Sequence, residues 1–110
     1  MVVSKRYFLE TYGCQMNKAE SSALEALLRE RGWNLAESGA DADLVLINTC
    51  TVRATAENRA WGRIAQYAAA KRQRPFTLMI VGCMAEQYKE EMKARVPEID
   101  YVLEIGRAHV

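Results

Sequence analysis

"DLVLINTC", residues 43–50, decides how this chain folds. Leu44, Val45, Leu46 and Ile47 form an unbroken apolar run rich in β-formers, with no polar residue set aside for water. A strand with one wet face alternates apolar and polar residues, whereas a strand covered on both faces does not. The run therefore reads as an inner strand of a parallel sheet. The expected strand is "DLVLIN" (43–48), and a cysteine, Cys50, follows almost at once. Two other runs share this build: "YFLET" (7–11) leads into Gly13 and Cys14, and "TLMIVG" (77–82) leads directly into Cys83. "DYVLEI" (100–105) is a fourth run, without a cysteine, and "WNLAES" (33–38) reads as a short edge strand. After it, "GADA" leaves room for no more than a turn of helix.

Helical patterns fill the intervals. From Asn17 to Arg31, Leu24, Leu27 and Leu28 follow helical spacing; Asn17 with Glu20 resembles a capping box, and Gly32 fits the C-terminal stop. Ala60, Trp61, Ile64 and Ala68 predict a second helix from about Thr51 to Arg74, ended by Pro75. Ala85, Tyr88, Met92 and Val96 predict a third, stopping at Pro97. Strands alternating with helices imply right-handed βαβ crossovers. The expected fold class is α/β, an open, mainly parallel sheet with helices on both faces, in the flavodoxin-like order 2-1-3-4-5.

At 110 residues the chain reads as one domain, long enough for a single core. Half of it is hydrophobic and 26% is charged, as in an ordinary globular protein. No apolar run approaches the roughly 20 residues that span a bilayer. "MVVSKRYFLE" at the start lacks the apolar segment and cleavage site of a secretory signal. The expectation is a cytoplasmic, reducing setting with no membrane partner. Three cysteines, an odd number, argue against a closed disulfide framework and for thiols that are free or metal-bound.

All three cysteines stand at the carboxyl ends of expected strands. In an open parallel sheet these ends share one edge, and the crevice there is where ligands bind. The order 2-1-3-4-5 makes the first, third and fourth strands neighbours, about 4.8 Å apart, so three thiols can converge on one small object. Separations of 36 (50 − 14) and 33 (83 − 50) exclude a local chelate and match the length of a βαβ unit. Helix starts follow each cysteine closely, and the amide end of a helix stabilises the thiolate that binds metal. Gly13 and Gly82 let the backbone turn beside the sulfur. Residue types leave the metal open. Zinc with three cysteines and an Asp, a Glu or the lone His109 is one solution, and a cubane cluster with one iron unliganded by protein is another.

"GCQMN", "ADLVLINTCTVR" and "VGCMAE" together resemble the N-terminal domain of the radical-SAM methylthiotransferases, from about Lys5 to Gly106. "GCQMN" and "NTCTVRATAENRAWGR" look most like the MiaB-type tRNA methylthiotransferases. The branch acting on a ribosomal protein more often has "GCPKN", and the threonylcarbamoyladenosine branch "GCKVN". The resemblance implies that Cys14, Cys50 and Cys83 hold an auxiliary 4Fe-4S cluster whose open iron takes the sulfur to be transferred. It implies, in the full-length enzyme, a radical-SAM domain in cis with a second 4Fe-4S cluster and S-adenosylmethionine, a C-terminal RNA-binding domain, and tRNA as partner. The substrate implied is an isopentenyl-modified adenosine beside the anticodon, methylthiolated at C2. Residues 1–110 would then be the N-terminal domain alone, with no Cys-x3-Cys-x2-Cys motif and no activity by itself. Arg107 stands where the family often has Thr, which leaves the boundary of the domain open.

Asn17 and Asn48 fall on these motifs, with capping and turn formation set against a role beside the cluster. Residues 53–74 carry Arg53, Arg59, Arg63, Lys71, Arg72 and Arg74 against Glu57, a net of +5, and the remainder carries −4. A solvated helix face is one reading, and an RNA or domain contact through Arg53, Arg59 or Arg63 is the other. The rival for the whole chain is a non-catalytic α/β binding module with a zinc site or inert cysteines. Its receiver-like form wants an acidic cluster at the strand ends, where Glu10 and Asp43 are isolated or at the wrong end. Its phosphate-binding form wants a glycine-rich loop, and "GCQMN" has a single glycine.

Overall fold

A computed structural model describes residues 5–12, 15–49 and 54–103. Five strands and three helices alternate: β1 (Arg6–Thr11), α1 (Gln15–Glu30), β2 (Asn34–Leu35), β3 (Leu44–Thr49), α2 (Ala54–Lys71), β4 (Thr77–Gly82), α3 (Cys83–Arg95) and β5 (Tyr101–Leu103). All strand pairs are parallel, and the sheet order is β2-β1-β3-β4-β5. This is the expected 2-1-3-4-5 arrangement. A 3-10 turn at Gly39–Asp41 connects β2 to β3.

Every residue of β3 is buried, as its unbroken apolar run requires. Its alternate side chains enter two cores. Val45 and Ile47 join Leu78, Ile80 and Val102 under α2 and α3, which contribute Ala60, Ile64, Tyr67, Met84, Ala85 and Met92. Leu44 and Leu46 join Tyr7 on the opposite face, packed by Leu28 and Trp33. The Tyr7 hydroxyl donates to Glu25 Oε1 at 2.9 Å, fastening α1 to β1. Leu27, Tyr101 and Leu103 stay exposed.

Glycine ends α1 as the sequence suggests. Gly32 has φ 93°, its N–H donates to Arg29 O, and Trp33 N–H reaches back to Leu28 O. That pair of bonds satisfies the last carbonyls of the helix. The start of α1 differs from expectation. The helix begins at Gln15, so Asn17 lies inside its first turn and is not the N-cap. The end of α2 differs too: it stops at Lys71, not Arg74. Bonds from Arg72 to Ala69 O and from Gln73 to Ala70 O tighten the final turn, and a residue before proline disfavours helical geometry. The third stripe is interrupted at Tyr88, whose φ of −116° and ψ of 23° are non-helical.

Candidate metal centre

Register brings three strand ends to one edge. Thr11 of β1 is paired with Asn48 of β3, and Thr49 of β3 with Gly82 of β4. Past the end of β1, Tyr12 N–H donates to Asn48 O at 2.8 Å. The sheet reverses its winding direction between β1 and β3, the place where open α/β sheets form their crevice. Cys14, Cys50, Arg53 and His109 lie outside the described residues, as does Gly13. In sequence, Cys50 directly follows Thr49, and Cys14 follows Thr11 after Tyr12 and Gly13. Cys83 is the first residue of α3, directly behind Gly82. Among the described residues, no group of three or more His, Cys, Asp or Glu side chains is arranged to hold a metal ion.

Gly82 makes the junction between β4 and α3. Its φ of 99° and ψ of −163° are open to glycine and little else. A Cβ there would stand 2.4 Å from Thr49 O and 2.6 Å from Asn48 Oδ1. Glycine therefore lets β3 and β4 close up at the positions that precede Cys50 and Cys83. It also leaves α3 with no side chain at its N-cap. The neighbouring strand supplies one: the Thr49 hydroxyl accepts from Met84 N–H at 3.2 Å and donates to Val81 O at 2.8 Å. The amide end of α3 consequently opens at the edge, where its partial positive charge favours an anion.

Asn48 corrects an expectation. It makes no turn: β3 runs on to Thr49, and Asn48 lies inside the strand, fully buried. Its Nδ2 donates to Ser21 Oγ at 3.0 Å, and Ser21 Oγ meets Thr11 Oγ1 at 2.6 Å. This buried polar chain ties α1, β1 and β3 together beneath the edge.

A second cluster forms where β1 meets α2. Glu10 receives Arg63 Nε on Oε1 at 2.9 Å and Arg63 Nη2 on Oε2 at 2.6 Å, together with the hydroxyls of Tyr12 and Tyr67. Burial pushes the Glu10 carboxyl upward, but these hydrogen bonds and the Arg63 charge outweigh it and hold the pKa below its ordinary value. Burial and then the bond to Glu10 push Tyr12 up to about 12, and raise Tyr67 as well. A depressed carboxyl contributes stability above its unfolded pKa and loses it as pH falls through the folded one. Glu10→Gln is therefore expected to cost about 1–2 kcal/mol near neutral pH, because one partner, Arg63, is partly screened by solvent. That difference should shrink as acid protonates Glu10 in the native protein, on the low side of ordinary carboxyl titration. Urea unfolding at several pH values reads it. Native and variant curves running parallel down to acid pH would refute the assignment.

This cluster redraws the basic helix. Arg63 is an internal ion pair, not a free cation. Lys71 pairs with Asp100 at 2.5 Å and Arg72 with Glu98 at 2.9 Å, while Arg74 Nη2 donates to Gly39 O and Ala42 O. Arg59 lies with its guanidinium 5.4 Å from the centre of the Tyr12 ring.

Residues 6–104 match the family described as "Uncharacterized protein family UPF0004". The chain belongs to that family. Two proteins that it resembles closely carry the name tRNA-2-methylthio-N(6)-dimethylallyladenosine synthase. The one from Treponema denticola is 50% identical over 97 residues, which is 88% of this chain and 22% of the relative. The one from Treponema pallidum is 46% identical over 97 residues, 88% of this chain and 21% of the relative. The chain thus spans about a fifth of the length of the curated relatives it matches. No described helix of this family member is long and apolar enough to cross a membrane.

Sequence reasoning passed over Tyr12, Tyr67, Ser21 and Thr49, and weighed Glu10 only as an acidic residue of a receiver-like site. One signal was readable: Arg63 and Tyr67 are four apart and share a helix face. Their partner is 53 residues from Arg63, and no local pattern points to it.

Proposed function

We propose that this chain is the cluster-binding N-terminal domain of a tRNA methylthiotransferase. The reaction is addition of a methylthio group to C2 of an isopentenyl-modified adenosine beside the anticodon, in the cytoplasm. The observation that carries this reading is the register of β1, β3 and β4, which aligns at one edge the strand ends that lead to Cys14, Cys50 and Cys83. The names of the relatives at 46–50% identity favour tRNA over a ribosomal protein as substrate.

The residues at the edge suit a cluster. Gly82 keeps a Cβ out of the space between β3 and β4, the amide end of α3 begins at Cys83, and the donor set is three thiols. Three sulfurs fill three corners of a cubane and leave one iron open. Cys14, Cys50 and Cys83 would hold it, and when bound it would present that iron to the sulfur being transferred. The rest of the work falls to the chain. Thr49 fixes the first turn of α3 behind Cys83, and the Asn48–Ser21–Thr11 chain keeps α1 and β1 in place behind Cys14. A radical-SAM domain in cis, with its own 4Fe-4S cluster and S-adenosylmethionine, and a C-terminal RNA-binding domain would complete the enzyme. By itself the present chain would neither cleave S-adenosylmethionine nor transfer sulfur.

Anaerobic reconstitution with iron and sulfide tests this. The chain should take up about four irons and a matching amount of sulfide, with a broad visible absorption band. Stoichiometric zinc together with no affinity for iron and sulfide would overturn the reading in favour of a zinc module.

A further inference from the structure

The cations of α2 and of the turn that follows it sort into two groups. Arg63, Lys71 and Arg72 are neutralised by Glu10, Asp100 and Glu98, and Arg74 is spent on two backbone carbonyls. Arg59 is different. It is exposed and, among the described residues, meets no carboxylate; its described neighbour is the ring of Tyr12. The two line one side of a shallow cleft of about 520 Å³, shared with Phe8, Glu10, Thr11 and Arg63. Glu10 brings little negative charge to this cleft, because Arg63 neutralises it and two tyrosine hydroxyls occupy its oxygens. The cleft therefore carries a net positive charge centred on Arg59.

The platform is stiff. Tyr12 is held at its backbone by Asn48 O and at its hydroxyl by Glu10, and the two bonds restrain its ring. A guanidinium 5.4 Å from the centre of that ring is attracted to its face and keeps its donors ready for a partner. Tyr12 also stands two residues before Cys14, so whatever binds here is delivered to the mouth of the sheet edge. A planar cation on an aromatic ring suits a nucleotide, which offers both a phosphate and a flat base. An acidic peptide uses the charge alone.

We propose that Arg59, supported by the Tyr12 ring, holds a nucleotide of the RNA substrate at this edge, the guanidinium taking its phosphate. The inference rests on the function proposed above and narrows its RNA contact to one side chain of this domain. Arg63 serves as a positioning residue, holding Glu10 and through it Tyr12.

The test uses the full-length reconstituted protein and an anticodon stem-loop RNA as probe. Affinity is measured at several salt concentrations, with iron content determined on the same samples. Arg59→Gln should weaken binding several-fold at low salt and lower the slope of log affinity against log salt by about 0.7–0.9, with iron unchanged. Arg59→Lys should restore the slope, and Tyr12→Leu should weaken binding by removing the support. Unchanged affinity and slope in Arg59→Gln, with full iron, would overturn the assignment. So would a lower thermal midpoint with RNA binding intact, which would mark the surface as a contact between domains. Native protein that holds its iron yet ignores the RNA would instead bring down the proposed substrate, and this inference with it.

Discussion

Cys83→Ala should reduce the iron held by the reconstituted chain from about four per molecule to less than about one, with the fold unharmed. The asymmetry between those two outcomes follows from where the residue stands. Cys83 opens α3, and the backbone there is fixed by other groups: Gly82 makes the turn, and the Thr49 hydroxyl takes the Met84 N–H. Alanine is a good helix former and disturbs none of this, so the thermal midpoint of the cluster-free chain should move by no more than about 2 °C, well under the effect of a 1 kcal/mol change in a domain of this size. What is lost is a thiolate. Two cysteines cannot hold three corners of a cubane, so cluster loss should be near complete rather than graded. Cys14→Ala and Cys50→Ala should behave alike, and in the full-length protein each should abolish methylthio product in digested tRNA. The decisive readings are iron and sulfide content and the visible absorption band. A Cys83→Ala chain that keeps about four irons and an unaltered band would remove Cys83 from the ligand set, and the sheet-edge assignment would fail with it.

What the sequence shows of this edge depends on distance along the chain. Unbroken apolar runs mark β1, β3 and β4 because burial on both faces leaves few polar positions, and alternation with helices implies parallel pairing, whereas the order of the strands is not contained in the pattern. Gly32 marks the end of α1 because its signal is local: one residue with positive φ and bonds to neighbours three and five positions back. Other features have partners that no window contains. Thr49 reaches Met84 across 35 residues, and Glu10 reaches Tyr67 across 57. The +5 of residues 53–74 misleads for the same reason, since Glu10, Glu98 and Asp100, which cancel Arg63, Arg72 and Lys71, come from other segments. Asn17 and Asn48 fail at boundaries. A helix that already begins at Gln15 turns the expected cap into a first-turn residue, and a strand that runs on to Thr49 places Asn48 within the sheet and not at a turn.

Gly82→Ala should be the most damaging substitution to the fold itself. Two costs add at this position. The backbone region it occupies, at φ 99° and ψ −163°, costs a residue with a Cβ about 1–3 kcal/mol. The second cost is steric. The added carbon would meet Thr49 O at 2.4 Å, Asn48 Oδ1 at 2.6 Å and Thr49 N at 2.9 Å. Two of these atoms are backbone of the buried strand β3, so no flexible side chain can move aside to relieve the contact. We expect a total loss of about 3–5 kcal/mol, and a fall in thermal midpoint of about 15 °C or more for a domain of this size. Gly32→Ala separates the two costs. Gly32 also has positive φ, 93°, but nothing lies within 4 Å of its missing Cβ. It should lose about 1 kcal/mol, the conformational cost alone. Any Gly82→Ala chain that remains folded must push β4 away from β3 where Thr49 and Gly82 are paired, and so separate the positions leading to Cys50 and Cys83. Its iron content after reconstitution should fall even at temperatures where circular dichroism shows a folded chain. Equal midpoints for the two glycine variants would mean that β3 yields to the added carbon, and the close approach of the strands would then not be what requires glycine at this edge.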